Sequence, residues 1–199
     1  MARAVEFFFD FMSPPTYLAY TQMPDLARRT GATIRMRPML TLGLFQLTGN
    51  RSPRSVPNKA AWVSADLQRF ARRYGVTLNG NSHMEDLRIV PPLRGALVAE
   101  ALDCGRAYCD AMFRGMWVDD LNIGEAGTWE RLISDADLDP AVFAAGVERA
   151  DIKDALKANT QEAADRGAFG APTFFVGEEM FWGQDRLDFV EEALLALPA

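Results

Sequence analysis

The chain has 199 residues, 49% of them apolar and 24% charged, enough to bury the core of one or two globular domains. A net charge of -6 and a pI of about 4.9 speak against a nucleic-acid partner and against an anionic membrane surface. No apolar run approaches the roughly 18 residues of a membrane span. Met1-Ala2-Arg3-Ala4 lead straight into a strand pattern, so a cytoplasmic protein without a leader is expected.

Val5-Glu6-Phe7-Phe8-Phe9-Asp10 is a short aromatic run and predicts a buried first strand. Ser13-Pro14-Pro15 then reads as a helix start, with serine as N-cap and proline in the first turn. Residues 16–30 carry Tyr17, Leu18, Met23, Leu26 and Ala27 at near-helical spacing, closed by Gly31. Thr33-Ile34-Arg35-Met36-Arg37-Pro38 alternates and predicts a second strand, parallel to the first through a right-handed crossover. Residues 41–58 are rich in Gly, Asn, Ser and Pro and read as a loop. Within it Asn50-Arg51-Ser52-Pro53-Arg54 to Asn58-Lys59 is basic, either a solvated loop or a place for an anionic ligand.

From 59 to 167 the periodicity turns helical. Trp62, Leu67, Phe70 and Tyr74 mark one stripe, and further helices are expected over 92–105, 108–118, 128–133, 140–147 and 151–166. The two cysteines, Cys104 and Cys109, stand five apart in a helical pattern and point to different faces, so they read as reduced structural residues. Neither has a metal-ligand partner at a useful spacing, and no metal is expected. Thr173-Phe174-Phe175-Val176 and Met180-Phe181-Trp182 flank a Gly177-Glu178-Glu179 turn as a hairpin, and Gly183-Gln184-Asp185 opens a last helix over 186–197. The order β-α-β, helical block, β-β-α is that of an α/β thioredoxin-like fold with an all-helical insertion. The expected division is a thioredoxin-like domain over 1–58 and 168–199, and an insertion domain over 59–167.

Three places carry chemistry. Ser13 sits where a strand meets a helix start, where unpaired N–H groups and the helix dipole favour an anion such as a thiolate. A simple N-cap is the plainer reading. Pro172 stands directly before a strand, where a cis peptide would free the N–H of Ala171, although a trans proline also fits a strand start. Asp185 reads as an ordinary helix cap, or as a carboxylate for the ammonium of an amino-acid-like ligand.

Jointly, Phe9-Asp10-Phe11-Met12-Ser13-Pro14, Val56-Pro57-Asn58-Lys59, Asp66-Leu67-Gln68-Arg69, Phe169-Gly170-Ala171-Pro172-Thr173-Phe174-Phe175-Val176-Gly177 and Met180-Phe181-Trp182-Gly183-Gln184-Asp185-Arg186-Leu187 resemble the 2-hydroxychromene-2-carboxylate isomerase family. That family belongs with the kappa-class glutathione transferases, in the DsbA-like branch of the thioredoxin superfamily. The resemblance covers nearly the whole chain. It places Ser13 and Thr16 where redox relatives carry their Cys-x-x-Cys pair. It implies that Ser13 hydrogen-bonds a glutathione sulfur and that Ala171, before a cis Pro172, pairs with the cysteinyl part. It further implies that Gln184 and Asp185, with Trp182 and Gly183 beside them, hold the γ-glutamyl end, and that Lys59 meets a carboxylate. Asn50 and Arg51, with Asn81 and His83 of Asn81-Ser82-His83-Met84, fall on the substrate side. His83 reads as a surface or core histidine rather than a base. The segment 85–92 departs from the family, with Pro91-Pro92 where a polar helix start is expected.

What the resemblance implies is a glutathione-dependent cis–trans isomerase, a homodimer, acting on a small aromatic pyruvate-type compound in aromatic degradation by reversible thiol addition. Phe11, Phe45, Trp62 and Trp117 could wall the pocket or simply pack the core. The alternatives are a kappa-like transferase or peroxidase, a DsbA-like oxidoreductase, or a non-catalytic binding module.

Overall fold

The computed structural model describes residues 3–198. Strand β1 (Ala4–Phe9) feeds helix α1 (Pro14–Thr30), which returns as β2 (Thr33–Pro38). A hairpin of β3 (Thr173–Val176) and β4 (Glu179–Trp182) completes a sheet of order β2-β1-β3-β4. β1 runs parallel to β2 and antiparallel to β3, with Phe7 opposite Phe174 and Phe174 opposite Phe181. The fold is DsbA-like, a thioredoxin sheet whose strands β2 and β3 are separated in sequence by helices.

The alternation of β1 sorts its phenylalanines onto two faces. Phe7 and Phe9 join Leu18 and Leu26 of α1, together with Val190 and Leu194 of the last helix, α9 (Leu187–Ala196). Phe7 stacks on Phe174 with centroids 5.0 Å apart. On the opposite face Phe8 and Phe175 meet Met39, Leu44 and Ala163. Each fully buried phenylalanine contributes about 1.5–3 kcal/mol, so the aromatic content of β1 and β3 is what anchors the site-bearing ends of these strands.

Among the described residues seven helices follow the first half of the sheet: α2 (Thr41–Thr48), α3 (Pro57–Tyr74), α4 (Val90–Ala101), α5 (Gly105–Trp117), α6 (Ala126–Asp135), α7 (Pro140–Gly146) and α8 (Ala150–Asp165). The chain departs from the sequence reading at three places. The loop expected over 41–58 contains a helix, α2 (Thr41–Thr48), and a short 3-10 turn over Pro53–Ser55. The helix expected from residue 92 begins two residues earlier, at Val90, with Pro91 and Pro92 in its first turn, where a missing N–H removes no helical bond. Cys104 is the residue before α5 rather than a member of it, and only Cys109 is helical and buried.

The Phe8–Phe175 face is sealed by charge. Glu6 of β1 accepts from Arg37 of β2 at 2.6 Å and from Arg166 at 2.7 Å, and Glu162 of α8 accepts from both arginines, forming a closed ring of four. Arg166 lies over the Phe175 ring at 3.7 Å, and its remaining nitrogen donates to the Gly177 carbonyl at 3.0 Å. Asn159 adds an amide between Arg37 and the Pro38 carbonyl. The ring ties the end of α8, from which the chain runs to Pro172, to both parallel strands.

Among the described residues no helix is long and apolar enough to cross a membrane, and no group of three metal-ligating side chains is found.

Candidate active site

Ser13 begins α1 in an extended conformation and is buried. Its Oγ accepts from the Thr16 N–H at 3.3 Å and donates to the Ala171 carbonyl at 3.0 Å. The N-cap reading holds, and the same hydroxyl ties the start of α1 to the Ala171 segment. The Ala171–Pro172 peptide is cis and lies against Ser13. The expected row of unpaired N–H groups at the helix start is absent, because Pro14 and Pro15 have none and the N–H of Thr16 points to Ser13. What faces an incoming anion is the helix dipole and the Ser13 hydroxyl.

The turn before Ser13 is held from behind. The Ser13 N–H donates to the Asp10 carbonyl at 3.1 Å. The Trp117 indole donates to the Phe11 carbonyl at 2.8 Å, and both side chains are buried in the core, so Phe11 and Trp117 support the turn instead of walling a pocket. Trp62 is 62% exposed, beside Lys59 in a shallow cleft of about 400 Å³ shared with Pro53, Asn58 and Val63. Phe45 is half-buried.

Asp10 is the residue sequence reading passed over. It is wholly buried and accepts from the Met12 N–H at 3.0 Å and the Thr41 N–H at 2.8 Å. Burial pushes its carboxyl up to about 6, against the lowering effect of the Thr41 and Met12 amides. The signal was present as an acidic residue closing an aromatic strand, but nothing local shows what it bonds.

At the hairpin end, the Gly183 N–H donates to the Pro172 carbonyl at 3.1 Å and its φ of 106° suits glycine. Gln184 is buried, with its carbonyl accepting from the Tyr74 hydroxyl at 3.2 Å, while no partner for its side chain is found among the described residues. Asp185 is not a helix cap: α9 is preceded by a 3-10 turn and by Arg186, with no side-chain cap. Among the described residues its carboxylate pairs with Arg186 alone, at 3.3 Å. Trp182 is half-exposed and packs on Phe169 at 4.8 Å.

The structure thus joins Ser13, Ala171, Pro172 and Gly183 directly. Lys59 and Arg51 are exposed, with no ion pair found among the described residues. Asn50 donates to the Phe169 carbonyl at 2.6 Å. Asn81 is an anchor rather than a free amide, donating to the Met116 and Leu121 carbonyls at 3.0 Å and accepting from the His83 N–H. His83 is exposed. Burial pushes the thiol of Cys109 up, so no activated thiol of the protein itself stands here.

Comparison with known proteins agrees with this fold. The DSBA-like thioredoxin domain family matches residues 4–195. The chain is 36% identical over 200 residues to a 2-hydroxychromene-2-carboxylate isomerase of Sphingobium xenophagum, covering 98% of this chain and all of that one. It is 26% identical to glutathione S-transferase kappa 1 of Caenorhabditis elegans, covering 96% and 90% of the two chains. A solved structure of a 2-hydroxychromene-2-carboxylate isomerase superposes with a TM-score of 0.86 at 28% identity, over 96% of this chain and 94% of the other.

Proposed function

The chain belongs to the 2-hydroxychromene-2-carboxylate isomerase family of DsbA-like thioredoxin domains, and on that premise we propose that it is a glutathione-dependent cis–trans isomerase of a small aromatic pyruvate-type compound. The observation that carries the reading is the pair Ser13–Ala171. A hydroxyl, not a thiol, stands at the start of α1, and Thr16 occupies the second redox position. The reactive sulfur must then come with a ligand.

The residues present suit glutathione. The Ala171 carbonyl faces the site, and no partner for its N–H is found among the described residues. Gln184 and Asp185 offer an amide and a carboxylate to the γ-glutamyl end, beside Trp182 and Gly183, and Lys59 offers a cation to a carboxylate. Bound glutathione would supply a thiolate that adds reversibly to a conjugated carbon and leaves a single bond free to turn. The task of Ser13 is to turn its proton from the Ala171 carbonyl to the sulfur anion, assisted by the α1 dipole. Arg51 and His83 remain free to meet the anionic aromatic substrate, and Trp62 presents a flat apolar face.

Titration calorimetry with glutathione, followed by turnover of 2-hydroxychromene-2-carboxylate, tests the reading. Micromolar to millimolar binding and glutathione-dependent isomerisation are expected. Absence of binding would overturn it. The kappa-class relative supports a second reading, a transferase. Faster turnover of a generic electrophile than of the chromene carboxylate would favour that one.

A further inference from the structure

Asp10 and Asn50 sit at opposite ends of α2. The residue before this helix, Leu40, has no polar side chain to cap it. The cap comes from a distance: Asp10 Oδ2 accepts from the N–H of Thr41, the first residue of α2, at 2.8 Å, while Thr160 Oγ1 accepts from the Leu40 N–H at 3.0 Å. The other oxygen of Asp10 accepts from Met12, in the turn that presents Ser13, at 3.0 Å. At the far end Gly49 takes a left-handed φ of 72°, and Asn50 Nδ2 then donates to the Phe169 carbonyl at 2.6 Å. Two residues on, the Ala171 carbonyl receives the Ser13 hydroxyl at 3.0 Å. These bonds close a circuit from the Ser13 turn through Asp10, α2, Asn50 and the 169–171 segment back to Ser13. Eight helical residues span about 12 Å. The length of α2 therefore fixes how far apart the two halves of the Ser13–Ala171 contact are held.

We propose that Asp10 and Asn50 are positioning residues that use α2 as a strut to set the Ala171 backbone against Ser13. This gives Asn50 a role distinct from the substrate contact expected of it. A carboxylate is what the Asp10 position requires, since a neutral amide offers one acceptor where two N–H donors converge. Holding it in a buried place, where its pKa rises to about 6, is otherwise unfavourable. The consequence for turnover rests on the glutathione reading above. The mechanical coupling does not.

The test uses the full chain with Asp10→Asn, Asn50→Ala and the double variant, followed by hydrogen exchange with mass spectrometry and by turnover. Asn50 is exposed, so Asn50→Ala should fold. It should quicken exchange in residues 10–16 by roughly threefold or more, although it touches none of them. Asp10→Asn should do the same in residues 169–173. Each should lower turnover by roughly 10-fold, and the double variant by less than the product, because either change opens the same circuit. If Asp10→Asn does not fold, Thr41→Pro removes the same N–H at a first helical position that accepts proline. Exchange confined to each variant's own neighbourhood, with multiplying losses of turnover, overturns the strut. So does a higher substrate KM in Asn50→Ala with kcat and distant exchange unchanged, which is the pattern of a direct contact. If the wild-type chain neither binds glutathione nor turns over, the functional reading falls, and the exchange results still decide the strut.

Discussion

The hydroxyl of Ser13 donates its proton to the carbonyl of Ala171, 158 positions away, at 3.0 Å, while accepting the Thr16 N–H at 3.3 Å. A hydroxyl has one proton. Any anion that takes it must displace the Ala171 carbonyl as acceptor, so the same atom serves first as a brace between α1 and the cis-proline segment and then as a donor to the ligand.

Stability and activity at Ser13 should therefore separate. Ser13→Ala deletes the cap, a loss of about 1 kcal/mol, and the donor. Ser13→Gly deletes the same donor but costs the helix start little, since glycine caps within a few tenths of a kcal/mol of serine. Both should lose activity by about 10- to 100-fold, from a charge-assisted bond of roughly 1.5–3 kcal/mol, while only the alanine variant melts clearly lower. Parallel melting curves and steady-state kinetics check this. Full activity in Ser13→Gly would reduce the hydroxyl to a cap.

Asp10 predicts an unusual pH slope. Its carboxyl rises from the ordinary 3.8 to about 6 because burial disfavours the charge. The folded chain then holds this proton more tightly than the unfolded chain. The stabilising share is fully present below pH 3.8 and is lost as the pH climbs through about 6. By neutral pH the difference is on the order of 3 kcal/mol. Asp10→Asn should flatten the fall of stability across that window, measured by urea unfolding at a series of pH values. At about neutral pH it loses one N–H acceptor but no longer buries a charge, and it should turn over more slowly. An unaltered slope would show that Asp10 does not titrate in that window.

The ring of Glu6, Arg37, Glu162 and Arg166 is only partly buried, so its loss should be moderate. Arg166→Gln removes two carboxylate contacts, the stacking on Phe175 and the bond to Gly177. A destabilisation of about 1–3 kcal/mol is expected. Glu6→Gln combined with Arg166→Gln should fall short of the sum of the two, because each breaks the same pair. Thermal unfolding of the four proteins measures the coupling, and strict additivity would mean that the ring is four independent surface charges.

Much of the fold was legible because its signals are local. The aromatic run of β1, the Ser-Pro-Pro helix start, Gly31 and the hairpin turn each sit beside the element they define. Helix α2 was not, and the reason is physical. Thr41-Leu42-Gly43-Leu44-Phe45-Gln46-Leu47-Thr48 has no neighbouring polar cap, one glycine within it and another, Gly49, just after it, and its cap is the carboxylate of Asp10, 31 positions upstream. The same distance hid Asp10 itself. Pro91 and Pro92 read as a departure because the family pattern has a polar helix start there, and in the first turn of α4 the proline pair costs no bond. Ser13, Pro172 and Gly183 were legible as a group only through the family pattern. Spacing alone would have left each an ordinary cap or turn residue.

Asp185 offers a test of ligand binding separable from stability. Its carboxylate is exposed, caps no helix and among the described residues meets only Arg186, at 3.3 Å. Exposed pairs of this kind contribute about 0–1 kcal/mol, so Asp185→Ala should melt close to wild type. If the carboxylate takes the γ-glutamyl ammonium, glutathione binding should weaken by roughly 1.5–3 kcal/mol. The aromatic substrate, bound elsewhere, should keep its KM. Asp185→Asn separates charge from shape: it preserves the outline and should lose most of the same affinity. Gly183→Ala is a third handle, because a Cβ there would stand 2.6 Å from Asp185 Oδ1 and push the carboxylate aside. It should weaken glutathione less than Asp185→Ala does and should also destabilise the turn, whose φ of 106° suits glycine alone. Calorimetry at low and high salt completes the test, since a charge-based contact weakens as ionic strength rises. Equal affinities across all three variants would mean that the carboxylate faces only solvent and that the γ-glutamyl end is held by other groups.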